Sequence, residues 1–354
     1  MLAAFFTGDT NLELKEVPKP QCPQDGLLVK VTACAICGTD LKILKKSDVK
    51  LKDGKYASMK LPRITGHELS GRIAEVGREV ENFNPGEKVI IAPTVPCGVC
   101  HYCLKKNTEM CERLKVVGYD WDGGFSEFIK VEKEVISGGC VVRIPEGVDE
   151  EDACLTEPFS CALNSLELTP VERGDTVVII GSGPLGGILA DLAKWKGARQ
   201  VILVGRSETQ LDALEGICRA DIFINSGKED LNTRVKEITY GRGADVIYIA
   251  CASREAQEMT LNLIARRGRI NLFAGLPKGD SNVAWDTNLI HYKECSITGT
   301  HGSRPEHVQE ALQLMKIGVI KISRYISHRF PLREINQAIE IARSRGRLKV
   351  IIKP

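Results

Sequence analysis

The sequence predicts an α/β protein in two parts, a β-rich part and a doubly wound parallel sheet that follows it in the chain. Three observations carry this. Up to about Phe159, short strands of period-two alternation are separated by turn residues. From about Val171, continuous apolar runs alternate with helical patterns, as parallel strands covered by helices on both faces require. The chain then ends on Leu348-Lys349-Val350-Ile351-Ile352, a strand able to rejoin the first part.

Taken in order, Leu28-Val29-Lys30-Val31-Thr32-Ala33 alternates as a half-buried strand, and residues 70–76 and 88–92 read alike on either side of the turn Asn84-Pro85-Gly86-Glu87. Helix signals are weak here, so the chemistry of this part is expected on loops. Thr176-Val177-Val178-Ile179-Ile180 opens the second part as a strand buried on both faces, and Gly181-Ser182-Gly183-Pro184-Leu185-Gly186-Gly187 leads into a helix through Leu189, Leu192 and Trp195. A strand over 200–204 and a helix from Ser207 follow, then strands at 221–224, 245–249 and 269–273, one more at 295–298 and a helix over 305–316. The expected division is 1–158 with 295–354 for the β-rich domain, and 159–294 for the parallel-sheet domain.

At 354 residues the chain is long enough for about two domains. A net charge of +2 gives no field to draw it to nucleic acid or to a membrane surface. The first residues lack a basic segment followed by an apolar core, and no apolar run reaches membrane-spanning length, so a cytoplasmic protein is expected. Thirteen cysteines in such a chain point to metal binding or catalysis rather than disulfides. The dispersed ones, such as Cys140, Cys218 and Cys295, are expected to be small buried apolar residues.

Three constellations carry chemistry. Gly181-x-Gly183-x-x-Gly186, with Pro184 and Leu185 inside it, follows a predicted strand and opens a helix. In that context it marks a dinucleotide site, where the pyrophosphate approaches glycine backbone at a helix N-terminus. The next strand ends in Val204-Gly205-Arg206-Ser207 instead of an acidic residue. That removes a carboxylate that would repel a 2′-phosphate and offers a guanidinium, so NADP(H) is favoured over NAD(H), which stays possible. The alternative places Arg206 on the adenine or in solvent.

Cys97-x2-Cys100-x2-Cys103-x7-Cys111 puts four thiolates within fifteen residues, as a closed structural zinc site does. The longer last gap argues against an iron–sulfur pattern. Finally, Cys37-Gly38-Thr39-Asp40 and Thr65-Gly66-His67-Glu68, with Glu157 before Pro158, supply a thiolate, an imidazole and carboxylates, the ligand types of a catalytic zinc. The proline suggests a short turn that aims the Glu157 carboxylate.

With Asp122-Gly123-Gly124-Phe125-Ser126-Glu127 added, these motifs occur in the order found in the zinc-containing medium-chain dehydrogenase/reductase family, which the chain resembles over its whole length. Its polyol branch, the sorbitol or L-iditol 2-dehydrogenases, is the most similar. The resemblance implies a GroES-like catalytic domain split around an inserted Rossmann domain. It implies catalytic zinc at Cys37 and His67, with Glu68 and Glu157 as carboxylates that ligate directly or through water. Asp40 then matches the acid that orients the His67 ring, and Thr39 the hydroxyl that takes the substrate proton. Where alcohol dehydrogenases often carry a distal relay histidine this chain has Lys42, so the onward relay is expected to run through water.

The implied activity is hydride transfer between a secondary alcohol of a polyol, or the matching ketose, and NAD(P). The alternatives on the same scaffold are a sugar-alcohol phosphate, an inositol-type polyol or L-threonine. The lysines between Asp40 and His67 (Lys42, Lys45, Lys46, Lys50, Lys52, Lys55 and Lys60) form a phosphate-receiving rim or simply a solvated basic face. His301 and Arg304 face either the substrate or solvent. A nucleotide-binding protein without turnover, or a zinc-free quinone reductase, would have lost ligands that all remain here. The resemblance also implies a homodimer or homotetramer joined through the region 283–298.

Overall fold

The computed structural model describes residues 1–44 and 59–354. Lys45, Lys46, Lys50, Lys52 and Lys55 lie outside the described residues. The chain divides into two compact units, Met1–Ser160 with Ser303–Pro354, and Cys161–Gly302.

The first unit is built on a seven-stranded sheet. Its strand order is Val141–Arg143, Lys88–Ile91, Glu68–Val76, Leu27–Ala35, Lys349–Lys353 and Ile326–Pro331, with Phe128–Val131 also pairing to Leu27–Ala35. The C-terminal strand thus returns to the β-rich part, with Ile351 opposite Ala35. That register places Lys349, the buried one of the strand's two lysines, beside the end of the central strand. Alternate residues of these strands enter one core that includes Leu27, Val29, Ile73, Ile91, Ile129 and Ile352. A small sheet of Leu2–Phe6 between Glu13–Glu16 and Arg63–Ile64 covers one side.

The second unit is a six-stranded, all-parallel sheet in the order Ile222–Asn225, Gln200–Gly205, Thr176–Ile180, Ala244–Ile249, Ile264–Leu272, Ser296–Gly299. This is the doubly wound α/β arrangement expected from the buried apolar runs. Thr176–Ile180 is buried along its whole length.

Three details differ from the sequence reading. Thr156–Leu168 is a helix, so Glu157 lies in a helical first turn rather than in a short turn. Proline in the first turn of a helix removes only an amide that has no helical partner anyway. The strand expected from residue 269 already begins at Ile264; its first half is hidden from the alternation by an irregularity at Arg267, whose left-handed conformation (φ 57) accompanies a register shift against Ala244–Ile249. The strand near residue 295 pairs with Ile264–Leu272, so the second unit runs on to Gly302. Among the described residues no helix is long and apolar enough to cross a membrane.

Candidate functional site

The first unit brings two groups of metal-ligand atoms together, each with its atoms within 4.8 Å of one another: Cys97, Cys100, Cys103 and Cys111, and Cys37, His67 and Glu68.

In the four-cysteine lobe the sulfurs stand 3.5 Å (Cys100–Cys103), 3.8 Å (Cys100–Cys111) and 4.0 Å (Cys97–Cys103) apart. A tetrahedron with Zn–S bonds of ~2.3 Å has sulfur–sulfur edges of ~3.8 Å, so the donor set fits that metal. Backbone N–H groups point at the sulfurs, from Cys97 and Arg113 to Cys111 at 3.2 and 3.4 Å. Such donors, chiefly the backbone at Val99, bring the Cys97 thiol down to about 6, while burial pushes Cys103 up to about 12. Four adjacent thiols with so wide a spread do not ionise together unless a cation joins them. None of the thirteen cysteines is paired in a disulfide, and Cys140, Cys218 and Cys295 are buried as expected.

The mixed site is assembled from distant segments. Cys37 precedes the short helix Gly38–Ile43, and its N–H donates to Asp40 Oδ2 at 2.9 Å. Thr39, in the first turn of that helix, is half-buried. His67 follows Gly66, whose φ of +92 and contact with Cys34 Sγ and Phe125 leave no room for a side chain. Across it lies the loop of residues 118–124: Gly124 N–H donates to the Gly66 carbonyl at 2.8 Å and Phe125 N–H to that of Thr65 at 3.0 Å. The Asp122-to-Glu127 motif serves this packing, with Asp122 bound to Arg63 at 2.9 Å and Glu127 accepting from Leu2 N–H at 2.7 Å.

Asp40 Oδ1 is 3.6 Å from His67 Nδ1, and the Tyr119 hydroxyl is 3.0 Å from the same nitrogen. With Nδ1 engaged, Nε2 is the ring nitrogen left for a metal. Burial opposes charging His67, yet Cys37 and Asp40 hold its pKa well above the ordinary range. The pocket is therefore set to hold positive charge at that point, and its donor set fits a divalent cation.

Glu68 begins its strand fully buried and forms an ion pair with Lys349, itself buried, whose Nζ also donates to the Ile36 carbonyl at 3.2 Å. Burial raises the Glu68 pKa against the pull of Lys349. Glu157 stands outside the 4.8 Å cluster, but its charge acts on both Glu68 and Lys349.

Sequence reasoning missed Lys349 and Tyr119. A lysine inside an apolar strand is itself a signal, because a buried ammonium needs a partner. Tyr119 gives none, being one of two aromatics in a glycine-rich loop. Lys42 and His301 are exposed. Arg304 precedes the helix Pro305–Lys316 and faces Glu109 of the cysteine lobe at 3.7 Å, which is a structural contact.

In the second unit, Gly181 takes φ +132, where a Cβ would press on Ala250, and a Cβ on Gly186 would collide with the Gly181 carbonyl. Gly183 stands in the open as the N-cap of the helix Pro184–Trp195, with Pro184 in its first turn and Leu185 following. Bare backbone at a helix N-terminus is the cradle a pyrophosphate takes. Arg206 is exposed at the end of its strand, and Ser207 is the N-cap of the next helix.

Comparison with known proteins gives the family. Residues 23–146 match the alcohol dehydrogenase GroES-like domain, and 184–316 match the zinc-binding dehydrogenase family. The L-threonine 3-dehydrogenase of Bacillus licheniformis is 30% identical, over 98% of this chain and 96% of that protein. The D-arabitol-phosphate dehydrogenase of Enterococcus avium is also 30% identical, over 98% and 95%. Among solved structures, a zinc-binding dehydrogenase from Sinorhizobium meliloti bound to NADP superposes with a TM-score of 0.89 at 28% identity, covering 100% of this chain and 99% of that one. An Escherichia coli alcohol dehydrogenase complexed with NADH gives 0.88 at 27% identity, over 100% and 99%.

Proposed function

Since the chain belongs to the zinc-containing medium-chain dehydrogenase/reductase family, in its polyol branch, and is thus a zinc- and NAD(P)-dependent alcohol dehydrogenase, we propose that it interconverts a secondary alcohol of a polyol and the corresponding ketose. The observation that carries this is the clustering of Cys37, His67 and Glu68 within 4.8 Å, with the half-buried Thr39 two residues after Cys37 and Asp40 held against Cys37 and His67. When bound, zinc supplies a Lewis acid that eases deprotonation of the alcohol, and the nicotinamide accepts the hydride.

The rest is the work of the chain. Cys37 and His67 would hold the metal, with Glu68 and Glu157 as the carboxylates that would ligate it directly or through water. Asp40 fixes the entry of the Gly38–Ile43 helix by accepting the Cys37 N–H, and so places Thr39. The Thr39 hydroxyl takes the substrate proton and passes it on through water, since Lys42 stands exposed where a relay base would be. Cys97, Cys100, Cys103 and Cys111 hold the structural zinc. Gly181, Gly183, Pro184, Leu185 and Gly186 bind the pyrophosphate, and Arg206 with Ser207 receives the 2′-phosphate of NADP. The working assembly is a homodimer or homotetramer.

A second reading, L-threonine or a sugar-alcohol phosphate as substrate, is favoured by the two relatives at 30% identity. Initial rates with NAD and NADP, across linear polyols, inositols, sugar-alcohol phosphates and L-threonine, decide between them. Turnover of an unphosphorylated polyol supports the first reading; turnover of threonine or a phosphate alone replaces it. Arg206→Ala is expected to weaken NADP about tenfold or more, the worth of a charge-assisted hydrogen bond, and to leave NAD unchanged. An unchanged KM for NADP would remove the case for a 2′-phosphate contact.

A further inference from the structure

We propose that Tyr119 is a positioning residue of the mixed site. Its hydroxyl shares Nδ1 of His67 with Asp40, and so fixes which ring nitrogen is presented to the metal. The inference rests on the reading of Cys37, His67 and Glu68 as a zinc site.

Asp40 alone does not hold the ring. Its Oδ2 is engaged by the Cys37 N–H at 2.9 Å, and its Oδ1 stays 3.6 Å from Nδ1, beyond an ordinary hydrogen bond. The Tyr119 hydroxyl, at 3.0 Å, makes the short contact. The tyrosine is buried (4% exposed) and lies against the imidazole, with ring centres 5.4 Å apart and planes tilted by 45°.

The loop that carries Tyr119 is fastened by its backbone. Gly118 N–H donates to Trp121 at 3.0 Å, Tyr119 N–H to Val116 at 3.1 Å, and Gly124 N–H to Gly66 at 2.8 Å. A phenylalanine would therefore leave the loop and the ring packing in place and remove the hydroxyl alone.

The metal sets the direction of the bond. A neutral imidazole that ligates through Nε2 carries its proton on Nδ1, so the phenol oxygen accepts it. Without the hydroxyl, that proton has only the long contact to Asp40, and the ring must move by about 0.7 Å to shorten it to an ordinary 2.9 Å.

The test is site-resolved zinc release to a chromophoric chelator, on the full-length zinc-loaded protein, for wild type, Tyr119→Phe and Tyr119→Leu. Partners of ligating histidines are worth roughly 10–100-fold in metal affinity. Tyr119→Phe is therefore expected to release the mixed-site zinc about tenfold faster, with release from the four cysteines and the melting temperature unchanged. If Tyr119→Phe behaves as wild type and only Tyr119→Leu loses zinc, the residue merely packs and the proposal is overturned. A wild type that holds zinc at the four cysteines alone overturns the site reading and the proposal together.

Discussion

The two metal-ligand groups of the first unit share a fold and differ in almost everything else. The four-cysteine lobe takes its ligands from residues 97–111, and sulfur surrounds the site on all four sides. The mixed site takes Cys37 from the start of a short helix and His67 and Glu68 from the start of a strand, and its carboxylate is paired to Lys349 near the chain's end. Among the described residues three ligand atoms lie within its 4.8 Å cluster, one fewer than in the lobe. A closed site contributes to folding, whereas an open one is held by the fold and supplies chemistry. Variants that separate those two debts measure how far this holds.

The widest separation is expected from one ligand removed on each side. Cys37→Ser should lower kcat/KM by about 1000-fold, the several kcal/mol a Lewis acid supplies, with the melting temperature almost unmoved. Cys103→Ser should destabilise instead. Loss of a structural metal belongs with the largest single-residue effects, ~4 kcal/mol or more, and a unit of this size loses roughly 2–4 °C per kcal/mol. A drop of ~10 °C follows, with the zinc of the mixed site retained. Metal content, melting temperature and steady-state rates on the same preparations check this. If Cys37→Ser melted as low as Cys103→Ser, the mixed site would be structural as well.

Lys349→Met asks whether the mixed site depends on its buried ion pair. Removing one partner of such a pair costs about 3–5 kcal/mol, because the other charge is left unpaired, and the double variant with Glu68→Gln should recover part of it. Burial alone would lower the Lys349 pKa, but Glu68 and Cys37 raise it above its usual 10.5. The stabilisation is therefore complete below that value and is lost only as pH rises through the raised folded pKa. Burial also raises the Glu68 pKa, and without its lysine the carboxyl is pushed higher still, so the stability gap between wild type and Lys349→Met should widen from about pH 6 to about pH 9 as Glu68 ionises unpaired in the variant. Denaturant titrations at several pH values measure it. A gap that closed between those limits would mean that the lysine is not held charged.

The contrast also explains what could be read in advance. The lobe was legible from spacing, because its ligands are local and spacing fixes what a short loop can enclose. The parallel sheet was legible from continuous apolar runs such as Thr176–Ile180 and from glycines placed between a strand and a helix. Cys37, His67 and Glu68 were legible only through motif order, since the fold that brings them together joins residues far apart in the chain. Lys349 acquires its meaning from the register that sets Ile351 opposite Ala35, and no local pattern states that register. Tyr119 depends on how one loop laps over another. The helix around Glu157 was missed because Pro158 reads as a stop, although the first turn of a helix tolerates proline.

The smallest expected effect compares two glycines, one from each region. Gly98, in the lobe, has φ +75 and nothing within 4 Å of where a Cβ would stand. Gly118, under the mixed site, has φ +90, and a Cβ there would meet the Gly66 carbonyl oxygen at 3.1 Å, with the Gly66 carbonyl carbon at 3.3 Å. Both replacements by alanine bear the left-handed backbone cost of about 1–2 kcal/mol. Only Gly118→Ala adds a close contact, and it is against backbone that carries His67, so it should total roughly 2–3 kcal/mol and loosen the mixed-site zinc, while Gly98→Ala leaves both metals in place. Equal destabilisation of the two variants, with equal metal retention, would show that the segment bearing His67 yields as freely as an open loop. The mixed site would then be positioned by its ligands and their ion pair rather than by the glycine packing beneath them.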